Sequence, residues 1–361
     1  MHEIQSDKKT LVEITSFPPP MGSWSLRIEF LAQAWRNLGH HCILMNIGPS
    51  RTLQDPKYLN ITGVVDYVFK VIFSAAKGHI LHTHTNGKGI KGTLLALLGQ
   101  CITLPFGRKC VLTFHAGLTQ HYFPKTGRFP LDFLMWLTFW TPRLIICNSE
   151  KMKDRISVDY NIDPRKIHPI PAFCSEYMKT EVGVLSPMVE KFANTHTPLL
   201  VSYVHTFHAE FTVDLMIHTV ERLCVKFPTL GLVIMGSTQF SEDYVRLIQE
   251  RNLVDKILLT GNLPRDEFLA VLARGALYLR TPIGDGVAAS VLEALFLGIP
   301  VVAVDNGTRP PSCVVYRDGD LEDMINKVEY VIQNRESISS DIHKPEEMDT
   351  LESEIKVLAS V

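Results

Sequence analysis

Asp285 and Glu293 stand eight residues apart in the segment 281–302, TPIGDGVAASVLEALFLGIPVV. A helix opening just after Asp285 would set the two carboxylates about two turns apart, able to face one ligand. The helix is expected to start around Val287, with Gly286 beside its N-terminus and Ser290 in its first turn. A helix start here offers unpaired N–H groups and the positive end of a dipole, which suit a phosphate or a polyol. The competing reading is structural, with Asp285 as an N-cap and Glu293 as an acid on a helix face. Arg280 directly precedes this loop and Arg309 follows the next apolar run; each is either a cation for a phosphate or half of an ion pair. His115 ends the run 112–114, where a histidine is either a cleft group or a structural one.

Other spacings carry less chemistry. Gly87, Gly89 and Gly92 form a literal G-x-G-x-x-G, but no acid stands near position 112 to hold a ribose, so a dinucleotide site is disfavoured and a flexible loop is expected. His82 and His84 alternate onto one strand face without a third metal ligand at a recognisable spacing. The segment 129–140, FPLDFLMWLTFW, is apolar nearly all round. It reads as a buried helix or as an aromatic surface for a membrane interface, although no Lys/Arg cluster accompanies it.

The elements that must position these groups follow from composition and period. The 361 residues suggest two domains, and 46% hydrophobic with 20% charged residues excludes extensive disorder. Lys plus Arg total 36 against 38 Asp plus Glu, a formal charge of −2, so nucleic acid held by bulk electrostatics is disfavoured. Seven scattered cysteines without C-x-x-C read as small buried hydrophobes in a reducing compartment. A polar start without a signal-peptide pattern and the lack of an uninterrupted apolar span lead to the expectation of a cytoplasmic protein, at the inner face of a membrane if 129–140 docks there.

Short β-branched runs at 11–15, 42–47, 80–84, 109–114 and 144–148 alternate with helical periods, and the pattern restarts at 199–204, 231–235, 257–260, 276–279 and 301–304. Helices are expected over 213–226, 242–251, 266–274, 288–297 and 321–333. This is α/β: two doubly wound, Rossmann-like domains facing a central cleft. The expected boundaries are 1–175, a linker 176–198 with Gly183, Pro187 and Pro198, and 199–340, with a last helix in 345–361 that could complete the first domain.

With its acid-x7-Glu spacing and its Ala-Leu-x-x-Gly-x-Pro-Val-Val tail, segment 281–302 resembles the signature of the retaining, nucleotide-sugar-dependent glycosyltransferases of family 4, which have the GT-B fold. The family usually has Glu where Asp285 stands. Segment 15–24, with Gly22 and Ser23, resembles the family's diphosphate loop, usually Gly-Gly; 112–117 resembles the strand end whose histidine lies near the donor sugar, and 259–262, with Gly261, the turn near the base.

The resemblance implies that Asp285 holds the donor sugar and Glu293 the ribose, with Gly286, Val287 and Ser290 beside them. His115 would stand at the reacting centre and Gly87, Gly89 and Gly92 on the acceptor side. It further implies retention by front-face displacement, a glycan or lipid-linked acceptor, and no metal or cofactor; no D-x-D triplet is read at a strand end. One departure is clear: the family's Arg/Lys pair falls on Thr206 and Phe211, and 199–220 contains no Lys or Arg. Leaving-group charge would then fall to His205, His208, Arg280 or Arg309. Without it, the alternatives are a nucleotide- or glycan-binding pseudoenzyme or a nucleotide-sugar epimerase.

Overall fold

The β-branched runs become parallel strands in two separate sheets. The computed structural model describes residues 8–17, 23–53, 55–173, 175–178, 183–204, 212–236, 242–342 and 350–361. The chain divides into one unit of Met1–Cys174 with Thr350–Val361 and a second of Ser175–Asp349.

The first unit runs β1 (Thr10–Thr15), α1 (Ser23–Asn37), β2 (His41–Asn46), β3 (Leu59–Asn60), α2 (Val64–Ala76), β4 (Ile80–Thr85), α3 (Ile90–Thr103), β5 (Cys110–Phe114), α4 (Phe129–Trp140), β6 (Leu144–Cys147), α5 (Glu150–Tyr160) and β7 (Ile167–Pro169). Its seven strands lie in the order β3-β2-β1-β4-β5-β6-β7, so the strand order reverses between β1 and β4, where open α/β sheets place their ligands.

Alternation along the strands divides the core. Val12, Ile14, Leu81 and Cys110 pack with Tyr67 and Val71 of α2. Leu11, Ile80, Val111 and Ile146 pack with Leu31 and Trp35 of α1 and with Leu358 of the last helix, Leu351–Ala359. That helix is locked by a buried ion pair: Arg27 is 1% and Glu354 2% exposed, with Nε to Oε2 2.8 Å. Arg27 also donates to the Phe173 carbonyl and the Thr350 hydroxyl.

The second unit runs α6 (Pro187–Thr195), β8 (Leu199–Val204), α7 (Val213–Cys224), β9 (Gly231–Gly236), α8 (Glu242–Glu250), β10 (Ile257–Gly261), α9 (Arg265–Arg274), β11 (Leu277–Arg280), α10 (Ala289–Phe296), β12 (Val301–Val304), β13 (Cys313–Tyr316), α11 (Leu321–Gln333) and α12 (Arg335–Ser340). The sheet order is β10-β9-β8-β11-β12-β13, with the reversal between β8 and β11. The two units are α/β, each with one doubly wound parallel sheet.

Several expectations need correction. Segment 176–198 is not a plain linker, since α6 lies in it and buries Val189 and Ala193 in the second unit's core. Proline at a first helical turn is tolerated because its missing N–H would go unpaired there anyway. Gly92 is not in a loop: α3 starts at Ile90 with Gly89 as its N-cap. Cys101 is exposed rather than buried.

Candidate active site

Asp285 sits in the loop between β11 and α10, not at the helix cap, which is Ala288. Its carboxylate accepts from Arg280 Nε at 2.6 Å, and Arg309 Nη1 approaches to 3.8 Å. Arg280 Nη1 also donates to the Tyr203 carbonyl; Arg309 donates to the carbonyls of Val304 and Pro282. Both guanidiniums are buried, at 9% and 2% side-chain exposure. Burial alone would weaken the Arg280 cation, but Asp285 outweighs it and holds the proton more firmly. Burial, reinforced by the Arg280 charge, lowers Arg309. Both cations thus approach the Asp285 carboxylate, and among the described residues the buried Arg309 Nη1 has no hydrogen-bond partner. An unpaired buried cationic donor favours an anion.

Glu293 lies in α10, 2% exposed, and its Oε1 accepts from Arg265 Nη2 at 2.9 Å. Arg265 opens α9, shortly after Gly261, whose φ of +72° ends β10 in a left-handed turn. Arg265 escaped sequence reading because its partner lies 28 residues away. Ser290 accepts from the Tyr278 hydroxyl at 2.8 Å. Asn306 donates to the Asp285 carbonyl and, at 3.4 Å, to that of Gly286, fixing the loop that contains Val287.

In the first unit, His115 follows β5 and its neighbours form a buried chain. Glu13 of β1 accepts from His82 Nδ1 and from His84 Nε2, each at 2.9 Å. His84 Nδ1 stands 3.1 Å from His115 Nε2, and His82 Nε2 meets the Thr113 hydroxyl. Trp24 lies against both His84 and His115. Burial would raise the Glu13 carboxyl, but the His82 charge and the two imidazole hydrogen bonds pull it down to about 2. Burial also opposes charge on His82, which its Glu13 partner nevertheless raises. Burial and the His82 charge push His84 down to about 4, and burial holds His115 well below the ordinary range.

Glu13 is the third group that the sequence did not supply for His82 and His84: the ligand atoms of all three lie within 4.8 Å of one another. Hydrogen bonds within the protein already engage all four ring nitrogens, so a cation would have to displace them.

The remaining positions divide by placement. Gly22, His205, Thr206, His208 and Phe211 lie outside the described residues, and Ser23 is described only as the first residue of α1. Gly87 has φ +66°, and a Cβ there would stand 3.3 Å from the Phe114 ring, so it closes the turn after β4 against the core. A D-x-D does follow a strand after all: β13, unread in the sequence, ends at Tyr316, and Asp318 and Asp320 flank Gly319. Asp320 there caps α11, accepting from Asp323 N. Segment 129–140 is a helix whose Phe129, Phe133, Trp136 and Trp140 stack in succession. Phe129 is 78% exposed, so the helix is not simply buried.

Two Rossmann-like sheets with charged loops at their strand ends fit the GT-B fold. Residues 26–174 match the model of Glycosyltransferase Family 4 and residues 188–340 that of Glycosyl transferases group 1, and the chain belongs to this family of glycosyltransferases. It is 20% identical over 353 residues to the phosphatidylinositol N-acetylglucosaminyltransferase GPI3 subunit of Saccharomyces cerevisiae, covering 91% of this chain and 76% of that one. It is 22% identical to the gpi3 subunit of Schizosaccharomyces pombe over 52% of this chain, spanning only 40% of that protein's length. Among solved structures, HepE of Anabaena in complex with UDP and glucose matches with a TM-score of 0.72 at 15% identity, covering 98% and 100% of the two chains. Sucrose-phosphate synthase from Thermosynechococcus elongatus matches at 0.68 and 14%, with the same coverage.

Proposed function

We propose that this glycosyltransferase moves a sugar from a nucleoside-diphosphate sugar to a hydroxyl of a lipid-linked acceptor, with retention at the anomeric carbon and without a metal. The observation that carries the reading is the buried Arg309 Nη1 beside Asp285, a cationic donor with no hydrogen-bond partner among the described residues. It stands in for the basic pair absent from 199–220. In this reading the diphosphate lies against Arg309, Asp285 accepts from sugar hydroxyls, and Glu293 Oε2, which has no partner among the described residues, accepts from the ribose. The acceptor oxygen bonds the anomeric carbon on the face from which the phosphate departs, and its proton passes to the leaving phosphate oxygen. Catalysis is then positioning and electrostatics. UDP and UDP-glucose in HepE support the donor class, and the phosphatidylinositol in the name of the yeast relative supports a lipid acceptor.

A membrane contact through 129–140 belongs to the same reading and is wider than the sequence suggested. On α2, which packs with α3, Val65, Phe69 and Phe73 are exposed at 70%, 69% and 59%; α3 in turn packs with α4. Although no Lys/Arg cluster stands in 129–140, basic side chains reach two of these rings. Lys77 lies over the Phe73 ring and Arg108 over Trp140. Apolar rings edged by cations suit an anionic lipid surface.

The direct test is release of nucleoside diphosphate from a panel of nucleotide sugars with a lipid acceptor. Glu293→Ala and Arg309→Met should each lower kcat/KM at least about 100-fold, the scale of losing one electrostatic stabiliser. Calorimetric binding of nucleotide with no release from any donor would leave the pseudoenzyme standing; donor conversion without acceptor would indicate an epimerase.

A further inference from the structure

The hydrogen bonds that run from Glu13 to His115 determine which nitrogen of His115 carries a proton. An ionised carboxylate only accepts, so His84 must donate Nε2–H to Glu13 Oε2. A neutral His84 then has only a lone pair on Nδ1, and His115 must donate Nε2–H to it across 3.1 Å. That leaves His115 Nδ1 as a hydrogen-bond acceptor. A cationic His84 would donate from both nitrogens and reverse the outcome, but burial and the neighbouring His82 charge oppose it. The groups packed around this chain are Glu13 of β1, His82 of β4 and Thr113 of β5, Trp24 and Arg27 of α1, and Glu354 of the last helix. Arg27 is ion-paired with Glu354; Glu13 and Glu354 favour the His84 cation, but burial and the His82 charge outweigh them.

We propose that Glu13, acting through His84, is a positioning residue that holds His115 as its Nε2–H tautomer and presents Nδ1 as an acceptor to a substrate hydroxyl. The substrate part rests on the reading of His115 as a group at the reacting centre. It has a consequence for substrate class. A lone pair accepts from a hydroxyl and repels a carboxylate, so the substrate group that meets Nδ1 is a hydroxyl, and a carboxylate in its place is rejected. Sites built around one hydrogen-bonding polarity discriminate in this way.

Long-range 1H–15N correlation spectra of histidine-labelled protein read the tautomer without any substrate. At pH 7.5 the wild type should show His115 as a single Nε2–H species; Nδ1–H or the cation would overturn the proposal. His84→Phe removes the acceptor and Glu13→Leu the anchor, and each should yield a mixture of both tautomers. An unchanged Nε2–H species in a folded variant would also overturn it. The wild-type spectrum decides the matter even if neither variant folds, and it does so whether or not a donor is ever turned over. Where turnover is measured, His84→Phe should lower kcat about 10- to 100-fold, the usual cost of losing an orienting partner, with donor KM within about threefold.

Discussion

Replacing Glu354 by Ala isolates the buried contact that ties the last helix to the first unit. The guanidinium of Arg27, 1% exposed, would keep its bonds to the Phe173 carbonyl and the Thr350 hydroxyl but lose the Glu354 carboxylate. Breaking one side of a buried pair costs about 3–5 kcal/mol, because the remaining charge stays out of water. For a unit of this size roughly 2–4 °C is lost per kcal/mol, so the first unit's melting transition should fall by roughly 6–20 °C. Differential scanning calorimetry is the assay, with the second unit's transition as internal control. Glu354→Gln keeps a hydrogen-bond acceptor and should lose less. The double variant Arg27→Met, Glu354→Leu should recover most of the loss, since apolar replacement of a whole buried pair is often neutral. A drop under about 2 °C for Glu354→Ala would mean that the pair is not desolvated in solution and would refute the reasoning.

Two further predictions concern pH and surface. Because burial depresses His84 to about 4, the unfolded chain takes up a proton between pH 6.5 and 4 that the folded chain does not. Stability therefore falls as pH drops through that window, and urea titrations should show a shallower fall for His84→Phe than for wild type. Below pH 4.5 the depressed Glu13 adds a second acid-labile contribution, absent from Glu13→Leu. On the surface, Phe69→Glu with Phe73→Glu, or Phe129→Glu with Phe133→Glu, should abolish sedimentation with anionic vesicles. Melting should stay within about 1 °C, because these side chains are exposed. Sedimentation of wild type should weaken with added salt; no sedimentation with anionic vesicles would refute the lipid-surface reading, and equal, salt-indifferent binding to uncharged vesicles would refute the role of the cations.

What could be read from sequence follows the range of the interactions involved. Strands such as β8 and β12 announce themselves because consecutive β-branched residues, buried on both faces, leave an uninterrupted apolar run. The edge strands β3, β7 and β13 are two to four residues long, too short to show a period, and missing β13 also hid the D-x-D behind it. The helix α6 was obscured by Pro187, read as a breaker when it is an N-terminal residue. At the site, Asp285 and Glu293 were visible because their spacing is local. Their partners Arg309 and Arg265 come from other segments, the loop after β12 and the start of α9, which no local spacing links to them. Glu13 lies 69 residues from His82 and joins it only because β1 and β4 pair in the sheet, a register that no local pattern encodes.

The last helix has a consequence for how the chain is made. Leu358 completes a core begun by Leu11, and the whole of Ser175–Asp349 is translated between the first unit's two segments. At about 5–20 residues per second this interval lasts roughly 10–35 s. The second unit can fold as soon as it emerges, whereas the first waits with the Arg27 side of its sheet uncovered until residues 350–361 arrive. The unit begun before the insertion is thus completed only after it, and during that delay its apolar surface is exposed.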